Sequence, residues 1–142
     1  MKILSLLEVN GQQEYVRIAL FFYFNWTDEY LTWNPADFNG TESIRAPVLQ
    51  VWHPDVGIVS MSLKSEDFIE KEERLVIINY NGEVVYPYPF LLTTSCPMQT
   101  DDFPFDSQTC TIRITSGSYS SKYVQFTHIN DTDLNAAYVR KF

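Results

Sequence analysis

Three observations predict an all-β fold, a β-sandwich. Aromatic residues make up 15% of the 142, Phe and Tyr dominating, alongside many Val, Ile and Thr. Such side chains pack well on a pleated, half-buried surface. One long segment alternates with a period of two, and turn formers divide the other apolar runs into short pieces. Many strands at that spacing argue for two packed sheets. With 45% hydrophobic content the chain can bury one core, so residues 1–142 read as one domain.

The opening Met1–Glu8 has a positive charge and a short apolar run, but no small-residue cleavage site, and reads as a strand rather than a signal peptide. Glu14 to Trp26, EYVRIALFFYFNW, has no turn former before Asn25 and reads as one long strand. Its even positions, Val16, Ile18, Leu20, Phe22, Phe24 and Trp26, are uniformly apolar and are assigned to the core. The odd set, Tyr15, Arg17, Ala19, Phe21, Tyr23 and Asn25, then faces outward or towards a partner. Adjacent outward aromatics such as Phe21 and Tyr23 mark an interface or a site, unless the strand is buried on both faces.

Asn34-Pro35 and Asn39-Gly40 bracket a polar loop, after which Ser43–Val51 and Val56–Leu63 read as short strands around Trp52-His53-Pro54-Asp55. The charged stretch Lys64–Arg74 reads as a solvated connection. Leu75–Tyr86 carries Asn81-Gly82 between two β-rich runs, the signature of a hairpin with a type I′ turn. Short strands are expected again at Cys110–Thr115 and Lys122–Ile129.

A formal net charge of −8 and the lack of clustered Lys and Arg argue against a nucleic-acid partner and suit a cationic ligand better. No apolar run approaches the roughly 20 residues that span a bilayer. Three Asn-X-Ser/Thr sequons, at Asn25, Asn39 and Asn130, lean towards the secretory pathway and are glycosylation candidates. His53 and His128 are too few and too far apart for a metal site, and no cofactor is implied. Asp101, Asp102 and Asp106 read as a hydrated acidic loop rather than a calcium site. Ser116-Gly117-Ser118 lacks the strand-to-helix context of a hydrolase nucleophile, so no catalytic residue is assigned and an enzyme is not expected.

The two cysteines, Cys96 and Cys110, enclose thirteen residues. A disulfide closing that loop would stabilise the fold by about 3 kcal/mol in the chain-entropy model, given an oxidising compartment. The alternative, structural zinc, lacks ligands, since two thiols without a nearby Cys-His set are too few.

That loop, with Phe103-Pro104-Phe105-Asp106 inside it, resembles the defining loop of the Cys-loop receptor family. Other landmarks follow the family's order: Trp26 to Phe38 (WTDEYLTWNPADF), then Trp52-His53-Pro54-Asp55, then Gly82 to Pro89 (GEVVYPYP). Trp33-Asn34-Pro35-Ala36-Asp37 is particularly similar to nicotinic acetylcholine receptor subunits. The resemblance covers virtually the whole chain and implies the immunoglobulin-like β-sandwich of the extracellular domain, here lacking its N-terminal helix and last strands. It also implies an extracellular, synaptic location at the cell membrane through transmembrane helices missing from this chain. The implied partners are other subunits of a homo- or hetero-pentamer and a small cationic neurotransmitter such as acetylcholine.

In that family the Cys-loop passes agonist-induced movement to the pore. The resemblance gives this role to Cys96–Cys110, with Phe103 and Phe105 as the apolar surface, Pro104 as a rigid cis turn and Asp106 as the anchoring carboxylate. Where the family often has an acidic residue, this chain has Gln99. Agonists bind between subunits in a box of aromatic faces that attract an amine. At two principal-side aromatic positions this chain has Val59 and Gly117, and the third principal loop is absent. On the complementary side Phe21 stands where the family usually has Trp, a conservative change, Tyr23 lies two residues further on, and Ile77, Val85 and Pro87 match the apolar wall. A complementary rather than principal role is therefore expected. Asn25 has the same parity as Phe21 and Tyr23, so a glycan there would obstruct that interface. The alternative readings are a soluble, secreted module like the acetylcholine-binding proteins, which keep the sandwich without a pore, and a truncated, non-functional product.

Overall fold

The structure is a computed structural model, and it describes residues 2–58, 62–101, 105–120 and 122–125. It is all-β, as the sequence predicts. Among the described residues, eight strands form in chain order: β1 (Lys2–Asn10), β2 (Tyr15–Thr32), β3 (Ser43–Pro47), β4 (Val56–Ile58), β5 (Ser62–Asp67), β6 (Leu75–Asn79), β7 (Asn81–Ser95) and β8 (Ile114–Ser116). Short 3-10 turns at Pro35–Phe38, Val48–Gln50 and Lys71–Glu73 are the helical elements among the described residues. One sheet has the order β1-β2-β7-β6-β3, with β5 also paired to β7, and a second consists of β4 and β8.

The chain divides into two compact units, which the long strands β2 and β7 both traverse: Phe21–His53 with Asp67–Pro89, and Met1–Leu20 with Pro54–Glu66 and residues from Phe90 onward. In the first, Val48, Val76, Ile78, Val84 and Tyr86 form the core, flanked by Phe24, Trp26, Leu31, Trp33 and Tyr88. In the second, Val16, Ile18, Ala19, Leu20, Phe90, Leu92, Thr94, Cys96 and Ile112 are buried. The alternation predicted for β2 holds. Val16, Ile18, Leu20 and Phe22 are buried while Tyr23 and Asn25 are exposed, Ala19 being the one odd-numbered residue fully withdrawn.

The hairpin forms at the predicted place, but its turn differs. Ile77 pairs with Val85 and Ile78 with Val84, a register that carries on to Asn79 opposite Glu83 and leaves a three-residue loop, Tyr80–Gly82. A two-residue type I′ turn needs positive φ at both centres; Gly82 has φ 84°, but Asn81 is not among the positive-φ residues. Contacts from elsewhere fix this register: Tyr80 accepts from Trp33 N (3.1 Å) and donates to Glu42 O (2.9 Å). The type I′ geometry occurs instead at Asn39-Gly40, with φ 54° and 76° and a closing Thr41 N to Phe38 O bond of 3.0 Å.

Other boundaries shift too. The expected strand Ser43–Val51 ends at Pro47 and turns into the 3-10 segment. The stretch read as a solvated connection is a strand through Asp67, and its last residue, Arg74, is buried at 6% exposure. The strand expected at Cys110–Thr115 is confined to Ile114–Ser116. Residues 122–125 hold no strand, and the remainder of the predicted Lys122–Ile129 strand lies outside the described residues, as do Val59, Phe103, Pro104, His128 and Asn130.

Candidate functional site

On one face of β2 and β7 the rings of Phe22, Phe24, Tyr86 and Tyr88 pack together. Centroid separations are 5.5 Å for Phe22–Phe24, 6.3 Å for Phe24–Tyr86 and 5.7 Å for Tyr86–Tyr88. Because successive side chains of a strand point to opposite faces, the odd residues of both strands stand on the other side. There Phe21 and Tyr23 have centroids 4.7 Å apart at 35°, and Tyr23 is 60% exposed. Ile77 lies directly across from Val85, and Pro87 is two residues further along the same face. All five residues expected on the complementary side thus share one sheet face, within one compact unit.

Sequence reasoning missed one member of this face. Arg45 on β3 pairs with Ile77, so its side chain emerges beside the apolar wall; it is exposed. Only the pairing register reveals it. Asn79 Nδ2 donates to Glu83 Oε2 at 3.1 Å along the same edge.

Beneath the opposite face lies a buried cation. Arg74 Nε donates to Ile69 O at 2.8 Å, Nη1 donates to Tyr86 OH at 3.1 Å and Nη2 pairs with Asp67 Oδ2 at 2.5 Å. The guanidinium stands 4.7 Å from the centroid of the Tyr88 ring, and Tyr88 OH donates to Asp67 Oδ1 at 3.0 Å. A planar fork of donors suits this multiple engagement, which a lysine could not reproduce. Burial, and then the bond to Asp67, push the Tyr88 phenol above its ordinary range. The network ties the β5 end and the start of β6 to the strand that presents Val85 and Pro87.

The Cys96–Cys110 disulfide is formed, with Cα atoms 5.0 Å apart. Cys96 is fully buried and its N–H donates to Glu14 O at 2.7 Å. Inside the loop, Gln108 acts as a strut. Its Oε1 accepts from Gln99 N (2.9 Å), and its Nε2 donates to Gln99 O (2.7 Å) and Asp106 Oδ2 (2.5 Å). Asp106 is therefore held from within the loop by Gln108. Gln99 takes part through its backbone, so its side-chain identity does not enter these bonds. Phe105 is 92% exposed.

Asp55 closes the open end of the β4–β8 pair, where Val56 pairs with Ser116. Its carboxylate accepts from the Ser116 hydroxyl and from Ser118 N, and Ser116 Oγ accepts from Tyr119 N at 2.9 Å. Donation by Ser116 and then Ser118 holds the Asp55 carboxyl below the ordinary carboxylate range. Gly117, which the resemblance sets against a principal-side aromatic, is exposed in this turn. A Cβ there would lie 3.5 Å from Asp55 Oδ2, ordinary contact, so packing does not force the glycine.

Among the described residues, no group of three or more His, Cys, Asp or Glu could hold a metal ion, and no helix is long and apolar enough to cross a membrane.

The described residues thus form an all-β fold with a disulfide-closed loop and an aromatic outward strand face. The family follows from comparison: residues 1–141 match the neurotransmitter-gated ion-channel ligand binding domain, and the chain is a member of that family. It is 35% identical to the neuronal acetylcholine receptor subunit alpha-9-II of Oncorhynchus mykiss, over 85% of this chain and 22% of that protein. It is 33% identical to the acetylcholine receptor subunit beta of Rattus norvegicus, over 91% of this chain and 25% of that protein. It is 30% identical to the proton-gated ion channel subunit pbo-6 of Caenorhabditis elegans, over 83% of this chain and 28% of that protein. The chain spans about a quarter of the length of these relatives, which are channel or receptor subunits rather than enzymes.

Proposed function

We propose that this chain is part of the extracellular ligand-binding domain of a nicotinic-like channel subunit, at the cell membrane, and lends the complementary face of an agonist site. The observation that carries this is the shared outward face of Phe21, Tyr23, Ile77, Val85 and Pro87, with the ring pair at its edge. A quaternary or protonated amine held by a neighbouring subunit would meet ring faces and an apolar wall, the environment that attracts such cations and excludes water. Gly117 and Val59 leave the principal role to that neighbour. The loop closed by Cys96–Cys110, with Asp106 braced by Gln108 and Phe105 projecting, would carry agonist-induced movement towards the pore.

The test is a concentration-response measurement on the full-length subunit co-expressed with a nicotinic principal subunit. Phe21→Ala and Tyr23→Ser should each raise the half-maximal acetylcholine concentration by about 2- to 30-fold, the range of one cation–π contact. Surface expression should be unchanged. Responses identical to wild type in both variants would remove the face from the site.

A further inference from the structure

We propose that Asn39 is an N-glycan acceptor, and that Asn25 stays bare in any chain whose outward β2 face is engaged by a partner. This rests on the extracellular reading above. The sequons Asn39-Gly40-Thr41 and Asn25-Trp26-Thr27 are equivalent as motifs; their settings separate them.

Asn39 sits at the tip of the type I′ turn, at φ 54° and ψ 33°, a left-handed conformation that asparagine tolerates better than most residues. Asn39, Gly40 and Thr41 are all exposed. A Cβ built on Gly40 would meet nothing within 4 Å, so the space around the tip is open. The turn is nonetheless anchored from behind, because Trp33 Nε1 donates to Thr41 O at 2.6 Å and Gly40 N to Pro35 O at 2.8 Å. An exposed, well-defined turn off the sheet presents the amide to a transferase and leaves room for the carbohydrate.

Asn25 is exposed too, but it projects from β2 on the face of Phe21 and Tyr23. Two residues along a strand are about 7 Å, less than the reach of a core oligosaccharide, so a glycan there would cover Tyr23. Ring-shaped assemblies use a heterologous interface on every subunit, and one covered face stops closure.

The donor is a lipid-linked oligosaccharide pyrophosphate. The bond from the sugar's anomeric carbon to pyrophosphate oxygen breaks, a bond to Asn39 Nδ2 forms, one amide proton is released, and lipid pyrophosphate leaves.

The experiment expresses the native full-length polypeptide in eukaryotic cells, separates assembled from unassembled protein, and maps sites by glycosidase release in heavy-oxygen water with tandem mass spectrometry. A non-reducing digest of the same sample reports the Cys96–Cys110 bond. Expected are Asn39 occupied in both pools, Asn25 unoccupied in the assembled pool, loss of one glycan in Asn39→Asp and Thr41→Ala, and retention in Thr41→Ser. Asn39 bare in chains whose disulfide has formed overturns the proposal and leaves the extracellular reading intact. Reduced cysteines with every sequon bare overturn both. Asn25 occupied in the assembled pool overturns the proposal and contradicts the use of that face.

Discussion

Two glycines show how far a single position's chemistry can be read. Gly82 lies at φ 84°, and a Cβ there would meet Asp28 O at 2.5 Å and Thr32 Cγ2 at 3.0 Å. Backbone cannot yield as a flexible side chain can, so Gly82→Ala should destabilise the domain by about 1–3 kcal/mol. Gly117 is outside the left-handed region and has only ordinary contact distances. There Gly→Ala should stabilise by about 0.4–1 kcal/mol, through the entropy of the unfolded chain. Denaturant midpoints of the two variants check both signs; equal effects would mean that the tight approach of Gly82 to β2 is wrong. Neither difference is visible in the sequence, which shows a glycine beside an asparagine or a serine and nothing of what stands opposite. Arg74 is a similar case. It looks like the end of a charged run, and its burial depends on Asp67, Tyr86 and Tyr88 converging from other elements.

At the level of elements, the long alternation of β2 was legible because a period of two sustained by large apolar residues has few other solutions. Its end was not. The strand runs on to Thr32 through a polar stretch, with Trp33 N bonded to Tyr80 O beyond it. The dipeptide Asn-Gly occurs three times, at Asn10, Asn39 and Asn81, and has positive φ at both residues only at Asn39-Gly40; at Asn81-Gly82 long-range contacts at Tyr80 set another register. The Asp55 latch belongs to this scale, since it joins the start of β4 to the turn after β8. Its carboxyl is lowered by the Ser116 and Ser118 donors. A lowered native value means that its contribution is present above the unfolded value, roughly 3.9, and is lost as pH falls through the lower native value. The Ser118 amide resonance should therefore titrate with a midpoint below that figure, and Asp55→Asn should abolish the titration. A midpoint at or above it would show that the latch does not form in solution.

For the molecule as a whole, the all-β class was legible from composition and turns, the disulfide from the two cysteines and their spacing, and the outward placement of Phe21 and Tyr23 from period two, while Ile77, Val85 and Pro87 were singled out by the family resemblance alone. Arg45 and Gln108 were not legible, since each acts through a partner that only the fold supplies: β6 pairing in one case, the backbone of Gln99 in the other. The central claim is that a cationic ligand rests on the face carrying Phe21 and Tyr23. Photolabelling tests it most directly, with a quaternary-ammonium photoprobe applied to the assembled full-length receptor. The label should fall in the tryptic peptide Ile18–Arg45, at Phe21 or Tyr23, and be displaced by excess unlabelled amine. Displaceable label confined to the partner subunit, or to other surfaces of this chain, would contradict the account.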